Sequence, residues 1–103
     1  MIVTPTPLTL RKYGLSRDEW TAMLEAQGGT CAVCLYDPPS GRLVIDHEHV
    51  PKWKKMAPEQ RKQYVRGLLC WTCNRYFLAR GATEFKLARA AEYLKRYHLR
   101  RLM

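Results

Sequence analysis

Two CxxC pairs constrain this chain more than any other feature: Cys31-Ala32-Val33-Cys34 and Cys70-Trp71-Thr72-Cys73 contain all four of its cysteines. Each knuckle aims two thiolates at one point, and two knuckles complete the tetrahedral four-thiolate shell of a closed structural zinc site, which leaves no position for substrate. The competing use of CxxC, redox exchange, normally has one pair at the start of a helix in a βαβ setting, and no such setting is legible here. The 35 residues between the pairs, positions 35 to 69, exceed the gap of a plain zinc ribbon. They are expected to form structure of their own, clamped at both ends by the ion. Structural zinc binds with roughly 10 to 16 kcal/mol, comparable to the whole stability of a small domain, about 5 to 15 kcal/mol.

A chain of 103 residues, 47% hydrophobic and 26% charged, suits a single globular domain over residues 1–103 with one modest core. No apolar run approaches the roughly 20 residues that cross a bilayer, and the start, MIVTPTPLTLRKYG, lacks the long apolar stretch of a secretion signal. The expectation is a cytoplasmic protein with no membrane partner, whose cysteines bind metal rather than pair as disulfides. Eighteen Lys and Arg against nine Asp and Glu give a net charge of +9. Such a field attracts polyanions, so DNA, or else RNA, is the first partner to consider. The plainer reading of a pI near 9.7 is that it keeps the protein soluble.

Along the chain, residues 1–15 are Pro-rich and read as an irregular N-terminal arm. Ser16 and Glu19 form a capping box for a helix over 17–27, with Trp20, Met23 and Leu24 on one face and Gly28-Gly29 as the stop. The following stretch, TCAVCLYDPPSGRLVIDHEH, predicts a hairpin of short strands with a turn at Asp37 to Gly41, ending at Asp46-His47. Residues 50–67 read as a basic surface insertion with Pro58 opening a short helix, and another helix starts near Asn74. Thr83 caps a C-terminal helix over 84–98. Its stripe Leu87, Ala90, Ala91, Leu94 and Tyr97 is expected to pack in the core. Its opposite face, Lys86, Arg89 and Arg96, is either solvated charge or a set of phosphate contacts.

The segment between the knuckles contains Asp46-His47-Glu48-His49, and the chain's only asparagine, Asn74, directly follows Cys73. In an undistorted strand Asp46 points away from His47 and His49, so the three converge only if the chain bends. Oxygen donors from Asp46 and Asn74 suit a hard cation such as Mg²⁺ or Mn²⁺. His47, neutral near pH 7, can then serve as a base. The alternative is a surface turn at Asp46-His47 and a simple helix cap at Asn74.

From Tyr13 to Asn74, the elements AQGGTCAVC, LVIDHEH and VRGLLCWTCN resemble the recombination endonuclease VII family of HNH, or ββα-metal, nucleases. The resemblance implies a small α+β fold in which a β-hairpin and helix cradle one catalytic metal beside a four-cysteine zinc site, flanked by helices. By position it implies that Asp46 and Asn74 bind catalytic Mg²⁺ or Mn²⁺ and that His47 is the general base. His49 would support the phosphate or the metal, and Cys31, Cys34, Cys70 and Cys73 would hold structural zinc. The chain lacks the central Asn of the broader HNH pattern, and Asn74 stands where many members have the last His; both agree with the endonuclease VII branch.

The function expected is metal-dependent hydrolysis of DNA phosphodiesters. With one site per chain, a monomer nicks and a homodimer cuts both strands. The segments Lys52 to Lys55 and Arg61 to Arg66 are the expected phosphate-contacting surface, with Trp53 and Tyr64 either stacking on bases or packed in the core, core being preferred. The rival reading is a non-catalytic zinc-stabilised module that binds nucleic acid. It accounts for the charge and the cysteines but leaves the DHEH run and the post-knuckle Asn without a role.

Overall fold

A computed structural model describes residues 2–78 and 81–102. The elements run α1 (Pro7–Lys12), α2 (Arg17–Ala26), β1 (Val44–His47), a 3-10 turn (Trp53–Lys55), α3 (Pro58–Lys62), β2 (Val65–Leu69), a wide helical turn (Cys73–Phe77) and α4 (Glu84–Leu102). This is a small α+β arrangement around one two-stranded sheet and a cluster of four cysteines.

The expected irregular arm contains a helix. Thr6 Oγ1 accepts from the Thr9 amide at 3.2 Å and Pro7 takes the first helical position, where its missing N–H costs nothing. The prolines thus start α1 rather than break the chain, and α1 buries Leu10. In α2 the capping box forms as the sequence predicts, with Ser16 Oγ accepting from Glu19 N at 3.0 Å and Glu19 Oε1 from Ser16 N at 2.9 Å. Trp20 is buried to 2% exposure, and Gln27 caps the end ahead of Gly28 and Gly29, both at positive φ.

The hairpin expected within residues 30–49 does not form. The turn is present, with Gly41 N donating to Pro38 O at 2.9 Å, but the stretch before it folds on itself through Cys31 N→Tyr36 O and Leu35 N→Cys31 O. β1 instead pairs antiparallel with β2, which lies partly in the segment expected to be a surface insertion. The register is Val44↔Leu69, Ile45↔Leu68 and Asp46↔Gly67, then His47↔Val65. Arg66 is therefore an extra residue on β2, a bulge that bends the strand beside Asp46 and His47.

Leu10, Leu15, Trp20, Leu43, Ile45, Leu68 and Leu69 form the core with Cys31 and Cys73. The outer edge of β2 is closed at Leu68 without a third strand among the described residues. Leu68 N donates to Gln27 Oε1 at 2.8 Å, and Leu68 O accepts from Gln27 Nε2 at 2.9 Å and from Ala32 N at 3.1 Å. Gly67 permits this approach, since a Cβ there would stand 3.2 Å from Gln27 Oε1.

Thr83 caps α4 as predicted, accepting from Lys86 N at 3.1 Å, but the helix continues to Leu102, past the expected end at 98. Its apolar stripe is not in the core: Leu87, Leu94 and Tyr97 are 39%, 55% and 44% exposed, and no residue of α4 is buried. The core is built from α1, α2, the sheet and the knuckles without any residue of α4, whose Ala, Leu, Lys and Arg content favours a helix together with its Thr83 cap. No helix of the described residues is long and apolar enough to cross a membrane.

Candidate metal centre and active site

The two knuckles converge. One Sγ from each of Cys31, Cys34, Cys70 and Cys73 lies within 4.8 Å of every other, and Cys34 Sγ to Cys70 Sγ is 3.8 Å. Zinc bonded to sulfur at about 2.3 Å has tetrahedral S···S edges of ~3.8 Å, so the four thiols fit such an ion. Leu35, at φ 65°, closes the first knuckle, and amides point at sulfur from Val33 to Cys31 and from Cys73 to Cys70, each at 3.4 Å. Burial opposes ionisation of Cys31, yet the surrounding backbone amides bring its thiol down to about 6. The Cys73 thiol is pushed up, by burial first and then by the neighbouring sulfurs. Four thiols crowded together ionise fully only when a cation shares their charge.

The Asp46-His47 pair sits at the bulge. Asp46 is buried to 3% exposure and accepts from Arg66 with both oxygens, Nε to Oδ2 at 2.8 Å and Nη2 to Oδ1 at 3.1 Å. An ionised carboxylate offers about four lone-pair sites, of which this fork uses two, so the donor set can also take a hard divalent cation. Asn74, partly buried, follows the second knuckle, its backbone N–H held by Cys70 O at 3.0 Å.

His47 and His49 lie side by side, with ring centroids 5.2 Å apart, and both line a cavity of about 840 Å³. Its rim is basic, with Lys12, Lys52, Lys54, Lys55 and Arg61 around Tyr13 and Trp53. Asp46 is not among its lining residues; it faces Arg66, as the alternation of a strand requires. Burial depresses the pKa of His47 below the ordinary imidazole value, with electrostatic repulsion from the neighbouring His49, Arg66 and Lys12 adding to the effect and Asp46 opposing it. The ring is thereby held neutral and able to accept a proton.

Arg61, expected to contact phosphate, is committed to the protein: Nε donates to Trp53 O at 3.2 Å, Nη1 to Lys12 O at 3.1 Å and Nη2 to Lys54 O at 2.8 Å. Arg66 is likewise occupied by Asp46. The cationic surface left to a polyanion at this cavity is that of the lysines. Trp53 is not a core residue: it is partly buried and stacks on His47 at 3.9 Å and 12°. Tyr64 is partly buried, and its carbonyl accepts from Glu48 N at 2.9 Å. Sequence reasoning missed the roles of Arg61, Arg66, Trp53 and Gln27. The VRGLL run was the one available signal, since it reads as a buried strand once the basic residues before it are set aside.

A family model described as recombination endonuclease VII matches residues 7–96. The chain is 38% identical over 90 residues to the Gene 59 protein of Mycobacterium phage D29, covering 84% of this chain and 47% of that one. It is 40% identical over 88 residues to the Gene 59 protein of Mycobacterium phage L5, covering 82% and 46%. It thus spans about half the length of the curated relatives it matches. No solved structure matches it. The family match runs from α1 through both knuckles and the Asp46-His47 bulge into α4, and on that extent the chain belongs to the recombination endonuclease VII family.

Proposed function

We propose that this domain is a DNA endonuclease of the HNH type, in which His47 is the general base and Asp46 and Asn74 hold a catalytic Mg²⁺ or Mn²⁺ beside a structural zinc bound by the four cysteines. The observation that carries the reading is the placement of His47 and His49 together in a lysine-rimmed cavity, one residue from a buried carboxylate. The second knuckle runs directly into Asn74, the other proposed metal ligand.

The lysines around the cavity bind the phosphodiester backbone and set its register. His47 removes a proton from a water molecule, whose oxygen forms a new bond to the scissile phosphorus as the bond to the 3′ oxygen breaks. The products are a 5′-phosphate and a 3′-hydroxyl, the leaving oxygen taking its proton from solvent. His49 holds a phosphate oxygen next to the base. A divalent ion bound by Asp46 and Asn74 would supply Lewis-acid stabilisation of the charge growing on the phosphate.

Nicking of supercoiled plasmid by the zinc-loaded protein in Mg²⁺ or Mn²⁺ tests this. His47→Ala is expected to lower the rate by about 10²- to 10⁴-fold, the usual contribution of a general base, while retaining fold and zinc. Equal cutting by the variant and its parent would remove His47 from the mechanism. Binding of DNA by the parent with no cutting in either metal would leave the zinc-stabilised binding module as the better reading.

A further inference from the structure

We infer that Trp53 is a positioning residue for His47, an aromatic wall that fixes the imidazole in the orientation from which it accepts a proton. The inference rests on the reading of His47 as the base. The two rings are nearly parallel, 12° apart with centroids 3.9 Å from each other, which places the imidazole flat on the indole. Tyr13 closes around both, 5.8 Å from the His47 ring and 5.9 Å from Trp53. Such contacts restrict rotation of an imidazole while leaving its ring edge, which carries both nitrogens, free of the indole face.

The wall is itself anchored. Lys52 adopts a left-handed conformation, φ 64°, which turns the chain into the 3-10 turn that begins at Trp53. The Arg61 guanidinium lies 5.6 Å over the indole and binds the carbonyls of Trp53, Lys54 and Lys12. One cation therefore ties together the end of α1, the turn carrying Trp53 and α3. Arg61 thus joins two stretches distant in sequence, the end of α1 and residues 53–61, whose aromatic side chains Tyr13 and Trp53 flank the His47 ring. A platform for stacking nucleobases needs an open aromatic face. Trp53 gives one face to His47, which favours a role inside the catalytic machinery over one in binding.

Steady-state nicking of plasmid by the zinc-loaded protein tests the assignment. Trp53→Ala is expected to reduce kcat by about 10- to 100-fold, the cost of misplacing a catalytic group by an ångström or so, with KM changed less than about twofold. Trp53→Phe, which restores a flat ring, is expected to recover most of the loss, and Trp53→Leu, of similar apolar character but without a face, to resemble Ala. The double variant His47→Ala/Trp53→Ala is expected to be no slower than His47→Ala alone, because the wall acts only through the ring it holds. A rise in KM at unchanged kcat would make Trp53 a binding platform and overturn the inference, as would full additivity in the double variant. If His47→Ala cuts normally, the base assignment itself has failed, whatever Trp53 does. A measurement on the unmutated protein needs no variant to fold: the His47 ring-carbon protons, shielded by the indole, are expected upfield of those of exposed His98 in the proton NMR spectrum. Coincident shifts would overturn the stack.

Discussion

Arg66 grips Asp46 with two hydrogen bonds, at 2.8 and 3.1 Å, and it does so from the one residue of β2 that has no partner in β1. The bulge and the ion pair are one device. The extra residue brings a guanidinium to a carboxylate that is 3% exposed, a burial that an unpaired charge tolerates poorly.

Removing that guanidinium strands the carboxylate. Arg66→Met is expected to lower stability by about 1–3 kcal/mol, less than for a fully enclosed pair because Arg66 is 41% exposed and water screens it. Asp46→Asn combined with Arg66→Met should recover part of the loss. Urea denaturation of the zinc-loaded proteins measures both, and a single variant as stable as the parent would contradict the ion pair.

Metal removal should act on the whole domain. Two of the four cysteines are core residues, and a zinc ion held by all four would contribute roughly 10 kcal/mol or more, comparable to the whole stability of a small domain. Stripping zinc with a strong chelator, or Cys73→Ser, is expected to abolish the cooperative thermal transition seen by circular dichroism. Elemental analysis of the parent should give one zinc per chain. A metal-free protein that melts cooperatively at the same temperature would refute the structural role.

Gln27 offers a test of the sheet edge. Its amide stands in for a missing strand at Leu68, so Gln27→Ala leaves the buried Leu68 N–H without a partner, while Leu68 O keeps only Ala32 N. The expected cost is about 1–3 kcal/mol, a fall in Tm of about 4 °C or more. Gln27→Glu, which keeps the acceptor for Leu68 N but at neutral pH sets a carboxylate oxygen against the carbonyls of Leu68 and Thr30, should be no more stable than Ala.

The exposed stripe of α4 predicts insensitivity. Leu94→Ala should change stability by less than about 0.5 kcal/mol, as for surface sites, whereas a core leucine costs about 2–5 kcal/mol. Leu68→Ala, at a fully buried position, supplies the contrast on the same thermal melt. A loss at Leu94 as large as that at Leu68 would show that α4 is packed in solution.

Local chemistry was readable from the residues alone. Ser16 and Glu19 cap α2, Thr83 caps α4, Pro58 opens α3, and the two knuckles bring four sulfurs together, because each depends on atoms a few residues apart or on a strong spacing rule. What the sequence could not decide was which distant backbone each segment meets. A strand shows its alternation but not its partner, so the sequence predicts a neighbouring strand for β1 whereas the fold pairs it with VRGLL. An apolar stripe likewise shows a face without showing whether anything remains to cover it, and no residue of the α4 stripe is buried. Arg61 and Arg66 looked like free charge because an arginine in a sequence is only a charge; carbonyls of Lys12, Trp53 and Lys54, and the carboxylate of Asp46, come within its reach only after the chain has folded. Donor identity is a property of the residue, and geometry is a property of long-range contacts, so the chemistry of the site was determined by sequence and its arrangement by tertiary structure.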